Sequence, residues 1–236
     1  MPFDVLFFGA HPDDVELTSG GLAALLASHG HAVAIVDLTR GEASSRGTVE
    51  EREREAEAAA RALGVTARIS LGLPDLGLDA AHRDQQRAVV GCLRAHRPRL
   101  VVAPDRDDEH PDHVQASTLV RRACHLSGFL KFDAPGERFR PGQLLFALYR
   151  TIRRPHLVVD VSPVWERRME ALEAHRSQLG GAPGPSTYLT APGFRAEVEA
   201  RARVFGAAIR TSFGEGYRTA GPLAVRDARA LLGDAA

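Results

Sequence analysis

Short apolar runs alternate with helix-length amphipathic stretches through the first half of this chain, and that alternation limits the fold more than any other feature. Val5–Gly9, Ala32–Leu38, Arg68–Leu71 and Leu100–Ala103 read as strands. Thr18–His29, Glu50–Leu63 and Asp79–His96 lie between them with helical patterning, and His113–Leu126 follows the fourth run. Local punctuation agrees: Thr18 and Ser19 open one helix, Gly64 closes another and Pro98 halts a third. A strand–helix–strand repeat of roughly 30 residues is the βαβ unit, and its right-handed crossovers build a mostly parallel sheet with helices on both faces. The expected fold is therefore α/β and Rossmann-like.

Residues 131–236 are less regular than 1–130. Leu144–Ile152 and Leu157–Val161 read as strands, Pro163–Ser177 as a helix with Pro in its first turn, and Glu197–Gly206 as another helix. Gly180–Gly193 is rich in Gly and Pro, so a loop is expected there, placed where it could lie over a site. Without repeats, low-complexity tracts or a composition break, 1–236 reads as a single domain, a size that suits one substantial core. Thirty basic and thirty acidic side chains cancel, which gives no electrostatic reason to expect nucleic acid or an anionic membrane as partner. No apolar run reaches the roughly 18 residues of a membrane span, and the N-terminus lacks a signal-peptide pattern. Cys92 and Cys124 fall in helical segments far apart, so reduced, partly buried thiols in a cytoplasmic protein are expected.

His11-Pro12-Asp13-Asp14 directly follows the first strand, at the carboxyl edge where open α/β sheets gather ligands. His11 and Asp14 could supply two metal ligands from one tight turn. Asp13 would then be free to approach a metal-bound water. An Asp here could also simply cap the following helix, but capping does not account for His11 beside two acids. His110-Pro111-Asp112-His113 sits after the fourth strand and before a helix. Hydrolytic metal sites usually take three protein ligands and keep a position for water. His113, at the helix start, is the better third ligand, leaving His110 and Asp112 as an imidazole–carboxylate pair. Such ligands do not by themselves choose zinc over another divalent ion.

The remaining histidines lack acidic neighbours, although His175-Arg176-Ser177-Gln178 concentrates polar groups just before the Gly/Pro loop. Glu50/Arg54 and Glu57/Arg61 are spaced i,i+4, the pattern of a solvated, ion-paired helix face from which one arginine could still turn inward as an anion clamp. The dinucleotide fingerprint G-x-G-x-x-G is absent after the first strand, and Asp13 and Asp14 would repel a pyrophosphate. No Gly-x-Ser-x-Gly elbow supports a serine hydrolase.

With these residues in view, the chain resembles the PIG-L/LmbE-type zinc-dependent N-deacetylases over nearly its whole length. Gly9 to Asp14 with Gly20-Gly21 resembles the opening motif, Leu38-Thr39-Arg40-Gly41-Glu42 the segment after the second strand, and His110 to His113 the second metal motif. Ser44-Ser45-Arg46-Gly47-Thr48 with Arg52, then Leu73-Pro74-Asp75, Ser177-Gln178 and Gly214-Glu215-Gly216-Tyr217, are most similar to the N-acetylglucosaminyl-malate deacetylases of bacillithiol biosynthesis. The resemblance implies Zn2+ held by His11, Asp14 and His113. It implies Asp13 as general base, His110 as acid or oxyanion stabiliser with Asp112 orienting it, and Arg52 as a substrate contact. It also implies an amino-sugar substrate and a homo-oligomer, a hexamer being one form it admits. The related mycothiol-pathway enzymes carry Tyr two residues before the second motif, where this chain has Asp108. Two rival readings follow: a deacetylase of another N-acetyl sugar, such as a chito-oligosaccharide or an antibiotic intermediate, and a non-catalytic zinc- or sugar-binding module.

Overall fold

The computed structural model describes residues 2–150, 153–181 and 183–223. Its strands β1 (Val5–Gly9), β2 (Val33–Thr39), β3 (Ala67–Leu73), β4 (Leu100–Pro104), β5 (Gln143–Ala147), β6 (Leu157–Asp160) and β7 (Gly214–Thr219) form one sheet. Their order is β3-β2-β1-β4-β5-β7-β6. The first five in that order run parallel, while β7 lies antiparallel to both β5 and β6. The mostly parallel α/β sheet expected from the sequence is present.

Among the described residues seven α-helices cover it: α1 (Asp14–Thr18), α2 (Gly20–Ser28), α3 (Val49–Leu63), α4 (Arg83–His96), α5 (Pro111–Leu126), α6 (Trp165–Glu173) and α7 (Phe194–Ala208). Successive strand residues face opposite sides, so each central strand buries both. Val5, Phe7, Val33 and Ile35 pack with α2, α3, α6 and α7. Leu6, Phe8, Ala34 and Val36 pack with α4 and α5. Burial on both faces is why these strands read as continuous apolar runs. The ends of α3 follow local chemistry: Thr48 and Glu51 form a reciprocal capping box, and Gly64 closes the helix in the left-handed region at φ +73°. Among the described residues no helix is long and apolar enough to cross a membrane.

Three elements depart from the sequence reading. The helix expected at Thr18–His29 starts earlier and breaks at Ser19 (φ −147°), giving α1 and α2. The strand expected at Leu144–Ile152 ends at Ala147, and Thr151 and Ile152 lie outside the described residues. β7 was not expected at all, because Gly214-Glu215-Gly216 has neither alternation nor β-branched residues. Its glycines are there for close packing: a Cβ on Gly216 would stand 2.8 Å from the Phe205 ring of α7.

Glu215 of β7 also explains the helix break. Its buried carboxylate accepts from the Gly21 and Leu22 amides at 2.7 and 2.8 Å, capping α2 from a distant part of the chain. The Tyr217 hydroxyl donates to it at 2.7 Å, and Arg168 lies 3.8 Å away. Burial pushes this carboxyl up, with the Arg168 cation pulling against it. Glu215→Gln would turn an amide group towards N–H donors in a dry site. The expected loss is about 2–4 kcal/mol, read as a lower urea midpoint at unchanged slope.

The topology opens a crevice at the carboxyl edge. From β1 the chain winds outward through β2 to β3, then returns to place β4 on the other side of β1. In open α/β sheets ligands bind where that direction reverses. The two His-Pro-Asp motifs leave from β1 and β4, so they meet at that point.

Candidate active site

Asp13 precedes α1 with φ +138°, a conformation that non-glycine residues rarely adopt. This turn sends His11, Asp13 and Asp14 into the crevice. Opposite it, His110 caps α5 by accepting the Asp112 amide N–H on its Nδ1 at 3.2 Å. The rings of His11, His110 and His113 then lie with centroids 4.8–5.4 Å apart.

Asp14 stands between two of these imidazoles. Its Oδ2 is 3.6 Å from His11 Nδ1, and its Oδ1 is 3.1 Å from His113 Nε2. The outer ring nitrogens carry a second set of acids. His11 Nε2 is 3.1 Å from Asp75 Oδ1, and His113 Nδ1 is 3.1 Å from Asp108 Oδ2. This is the arrangement expected of metal-ligating histidines, which turn one nitrogen to the ion and offer the other N–H to a carboxylate that fixes tautomer and ring angle. Donor atoms of His11, His110 and His113 fall within 4.8 Å of one another, as do those of His11, Asp75 and Asp112. The donor set fits a divalent cation.

The charges agree with that fit. Burial opposes protonation of both imidazoles, yet Asp112, Asp14 and Asp75 hold His11 well above its ordinary value, and Asp14 and Asp108 hold His113 up to about 10. Burial would raise Asp14, but His113 and His11 keep it well below the usual carboxylate range. The two imidazolium rings thus balance the acids as a bound cation would. Asp13 moves the other way: burial pushes it up, opposed first by Arg52. His110 is pushed down by burial and by its cationic neighbours His113 and His11.

Arg52, on α3, faces inward rather than out to solvent. It is buried, donates to the Gly41 and Pro12 carbonyls at 3.0 Å each, and brings Nη2 to 3.5 Å from Asp13 Oδ1. Gly41 makes room for it, since a Cβ there would fall 1.9 Å from Nη1. Beneath α1, Glu16 and Asp37 share the buried Arg68 guanidinium, and His175 Nε2 lies 3.5 Å from Glu16. His175 therefore joins the floor rather than the cavity wall. Cys92 and Cys124 are free, buried thiols away from the crevice.

One expected pairing is corrected. Asp112 does not orient His110: its carboxylate accepts from the Leu76 and Leu78 amides at 2.7 and 3.3 Å and lies 3.5 Å from His11 Nε2. With Nδ1 of His110 accepting the α5 cap, the neutral ring carries its proton on Nε2. Two residues went unassigned in the sequence, Asp75 and Asp108. Both follow strand ends, β3 and β4, which is the same signal that singles out His11.

The crevice opens into a cavity of about 460 Å³ lined by His11, Asp13, His113, Arg52 and Tyr149. Thr187, Tyr188 and Leu189 of the expected loop also line it, and Arg150 stacks on the Tyr188 ring at 4.0 Å. A larger cavity along α5, about 830 Å³, is lined by arginines but lacks any cluster of potential metal ligands among the described residues.

Fold and site together define an α/β protein whose switch-point crevice gathers side chains that could hold a metal ion. Residues 6–124 match the family model described as PIG-L: GlcNAc-PI de-N-acetylase. The chain belongs to this family. A 1D-myo-inositol 2-acetamido-2-deoxy-alpha-D-glucopyranoside deacetylase of a Mycobacterium species (strain JLS) is 31% identical, covering 76% of this chain and 75% of that one. A diacetylchitobiose deacetylase of Thermococcus kodakarensis is 28% identical over 74% of this chain and 70% of its own. The crystal structure of a conserved protein from Thermus thermophilus superposes with a TM-score of 0.85 at 37% identity, covering 94% of this chain and 97% of that one.

Proposed function

We propose that this protein is a zinc-dependent hydrolase that removes the N-acetyl group from an amino-sugar conjugate, with N-acetylglucosaminyl-malate of bacillithiol biosynthesis as its substrate. The observation that carries the reading is the double shell around Asp14. Inner nitrogens of His11 and His113 face its carboxylate, and their outer nitrogens rest on Asp75 and Asp108. Family membership and relatives that deacetylate N-acetyl sugars support the reaction class. The likeness at Ser44 to Thr48, Arg52 and Gly214 to Tyr217 supports the malate conjugate.

His11, Asp14 and His113 would hold the ion, which when bound lowers the pKa of its water towards about 7 and polarises the acetamide carbonyl. Asp13 takes the proton of the attacking water on its carboxylate. Its raised affinity for a proton, set by burial, suits that task. Arg52 fixes the Asp13 carboxylate and the Pro12 carbonyl, so the base keeps one position. His110 donates from Nε2–H to the oxygen on which negative charge develops, a role its neutral form can fill. As the C–N bond breaks, Asp13 returns the proton to the departing nitrogen, and the second proton of the attacking water passes from the new carboxylic acid to the amine, giving acetate and an ammonium product.

The test is acetate release by zinc-loaded protein from N-acetylglucosaminyl-malate, N-acetylglucosamine and N,N′-diacetylchitobiose. The malate conjugate should give the highest kcat/KM. A higher value for either of the others would reassign the substrate. No release from any of them, with one metal per chain, would favour the non-catalytic binding module.

A further inference from the structure

We infer that Leu76 is a substrate-binding residue whose side chain forms an apolar wall for the pyranose ring that carries the acetamide; this rests on the deacetylase reading. Leu76 breaks two rules at once. The residue is 66% exposed, second only to Leu130 at 76% among the large hydrophobic residues described. Its backbone is left-handed, φ +57°. It occupies the third position of the turn from Pro74 to Gly77, closed by the Gly77 N–H to the Pro74 carbonyl at 3.2 Å. A positive φ at that position normally calls for Gly or Asn. Here the glycine stands one residue later.

Neither folding nor solubility is served by a strained, exposed leucine, and such outliers gather at ligand sites. The surroundings say which site. Leu76 lines the cavity beside His11 and Asp75. Its amide is held by Asp112 Oδ2 at 2.7 Å and Asp75 Oδ1 at 2.9 Å. Both of these carboxylates also face His11 Nε2, at 3.5 and 3.1 Å. The Leu76 backbone is thereby held one residue from Asp75, which touches a proposed ligand of the ion, on the wall of the cavity in which the acetamide would react. The groups that hold the Leu76 turn, Asp75, Asp112 and His11, are carboxylate and imidazole, which offer hydrogen bonds to hydroxyls but nothing to the C–H face of a pyranose. Leu76 supplies that surface.

The proposal is tested by kinetics of zinc-loaded wild type, Leu76→Gly, Leu76→Asn and Leu76→Met on N-acetylglucosamine and N,N′-diacetylchitobiose. Gly and Asn both accept the left-handed backbone, so the turn survives and Tm should stay level or rise for Leu76→Gly. KM should rise about tenfold for both substrates in these two variants, the factor produced by losing about 1.4 kcal/mol of apolar contact. kcat should stay within about twofold, as expected when uniform binding is removed, and Leu76→Met should behave like wild type. An unchanged KM in Leu76→Gly with active wild type would overturn this proposal alone. A rise confined to diacetylchitobiose would also overturn it, because the second ring would then be what Leu76 reads. Dissociation of an oligomer at unchanged KM would make Leu76 a subunit contact and overturn it too. Inactive wild type on every N-acetyl sugar would overturn the deacetylase reading and this proposal together.

Discussion

Asp13→Asn should release acetate about 10² to 10⁴ times more slowly than wild type, while binding one metal ion per chain and unfolding at nearly the same temperature. The substitution changes one oxygen for an NH2 and little else. Asn tolerates positive φ better than most side chains, so the turn at φ +138° is not further penalised. The Arg52 hydrogen bonds to the Pro12 and Gly41 carbonyls do not involve the Asp13 side chain and persist. What disappears is what Asn cannot do in place of Asp13: take the proton of the attacking water and return it to the departing nitrogen. The measurement pairs metal content by mass spectrometry with single-substrate acetate kinetics. Loss in kcat with KM within a few-fold is the expected signature, since the proton moves during the chemical step. Wild-type turnover in the fully metallated variant would remove Asp13 from the base role.

The sequence made the site's position legible because a simple rule governs it: polar and titratable residues that interrupt an apolar run do so at strand ends. His11, Asp13, Asp14, His110 and His113 all follow that rule, and the switch between β1 and β4 brings them together. Asp75 and Asp108 obey it as well, but Asp75 has no histidine beside it in the chain and Asp108 is one of three acids in a row before His110, so only the fold shows that their partners are His11 and His113.

The pairing of His110 with Asp112 failed for a different reason. Residues two apart at the start of a helix point away from each other, so Asp112 turns to Leu76 and Leu78 while His110 caps α5. Proximity in sequence stood in for proximity in space, and helix geometry separates the two. β7 was hidden for a third reason. Glu215 looks like a surface acid until the α2 amides that it caps are placed 193 and 194 residues away along the chain. Long-range caps leave no local trace.

Removing a ligand and removing its outer partner should give two separable results. His113→Ala should lose both metal and activity, since Asp14 would keep only His11 on its other side. Asp108→Asn should keep the site but weaken metal binding about 10- to 100-fold, the usual cost of losing a carboxylate behind a ligating histidine. The amide oxygen of Asn can still accept from His113 Nδ1–H, yet it carries no charge to raise the basicity of Nε2. Asp75→Asn should act in the same direction through His11, and less strongly, because Asp112 also lies 3.5 Å from His11 Nε2 and can take over the contact. Affinity is read by competition with a chromophoric chelator, independently of turnover. At saturating metal, Asp108→Asn should recover most of its activity, whereas His113→Ala should not. If Asp108→Asn bound metal as tightly as wild type, the 3.1 Å contact to His113 would be a bystander and the outer shell would not be tuning the ion. Equal loss from Asp75→Asn and Asp108→Asn would mean that Asp112, committed to the Leu76 and Leu78 amides, cannot be spared for His11.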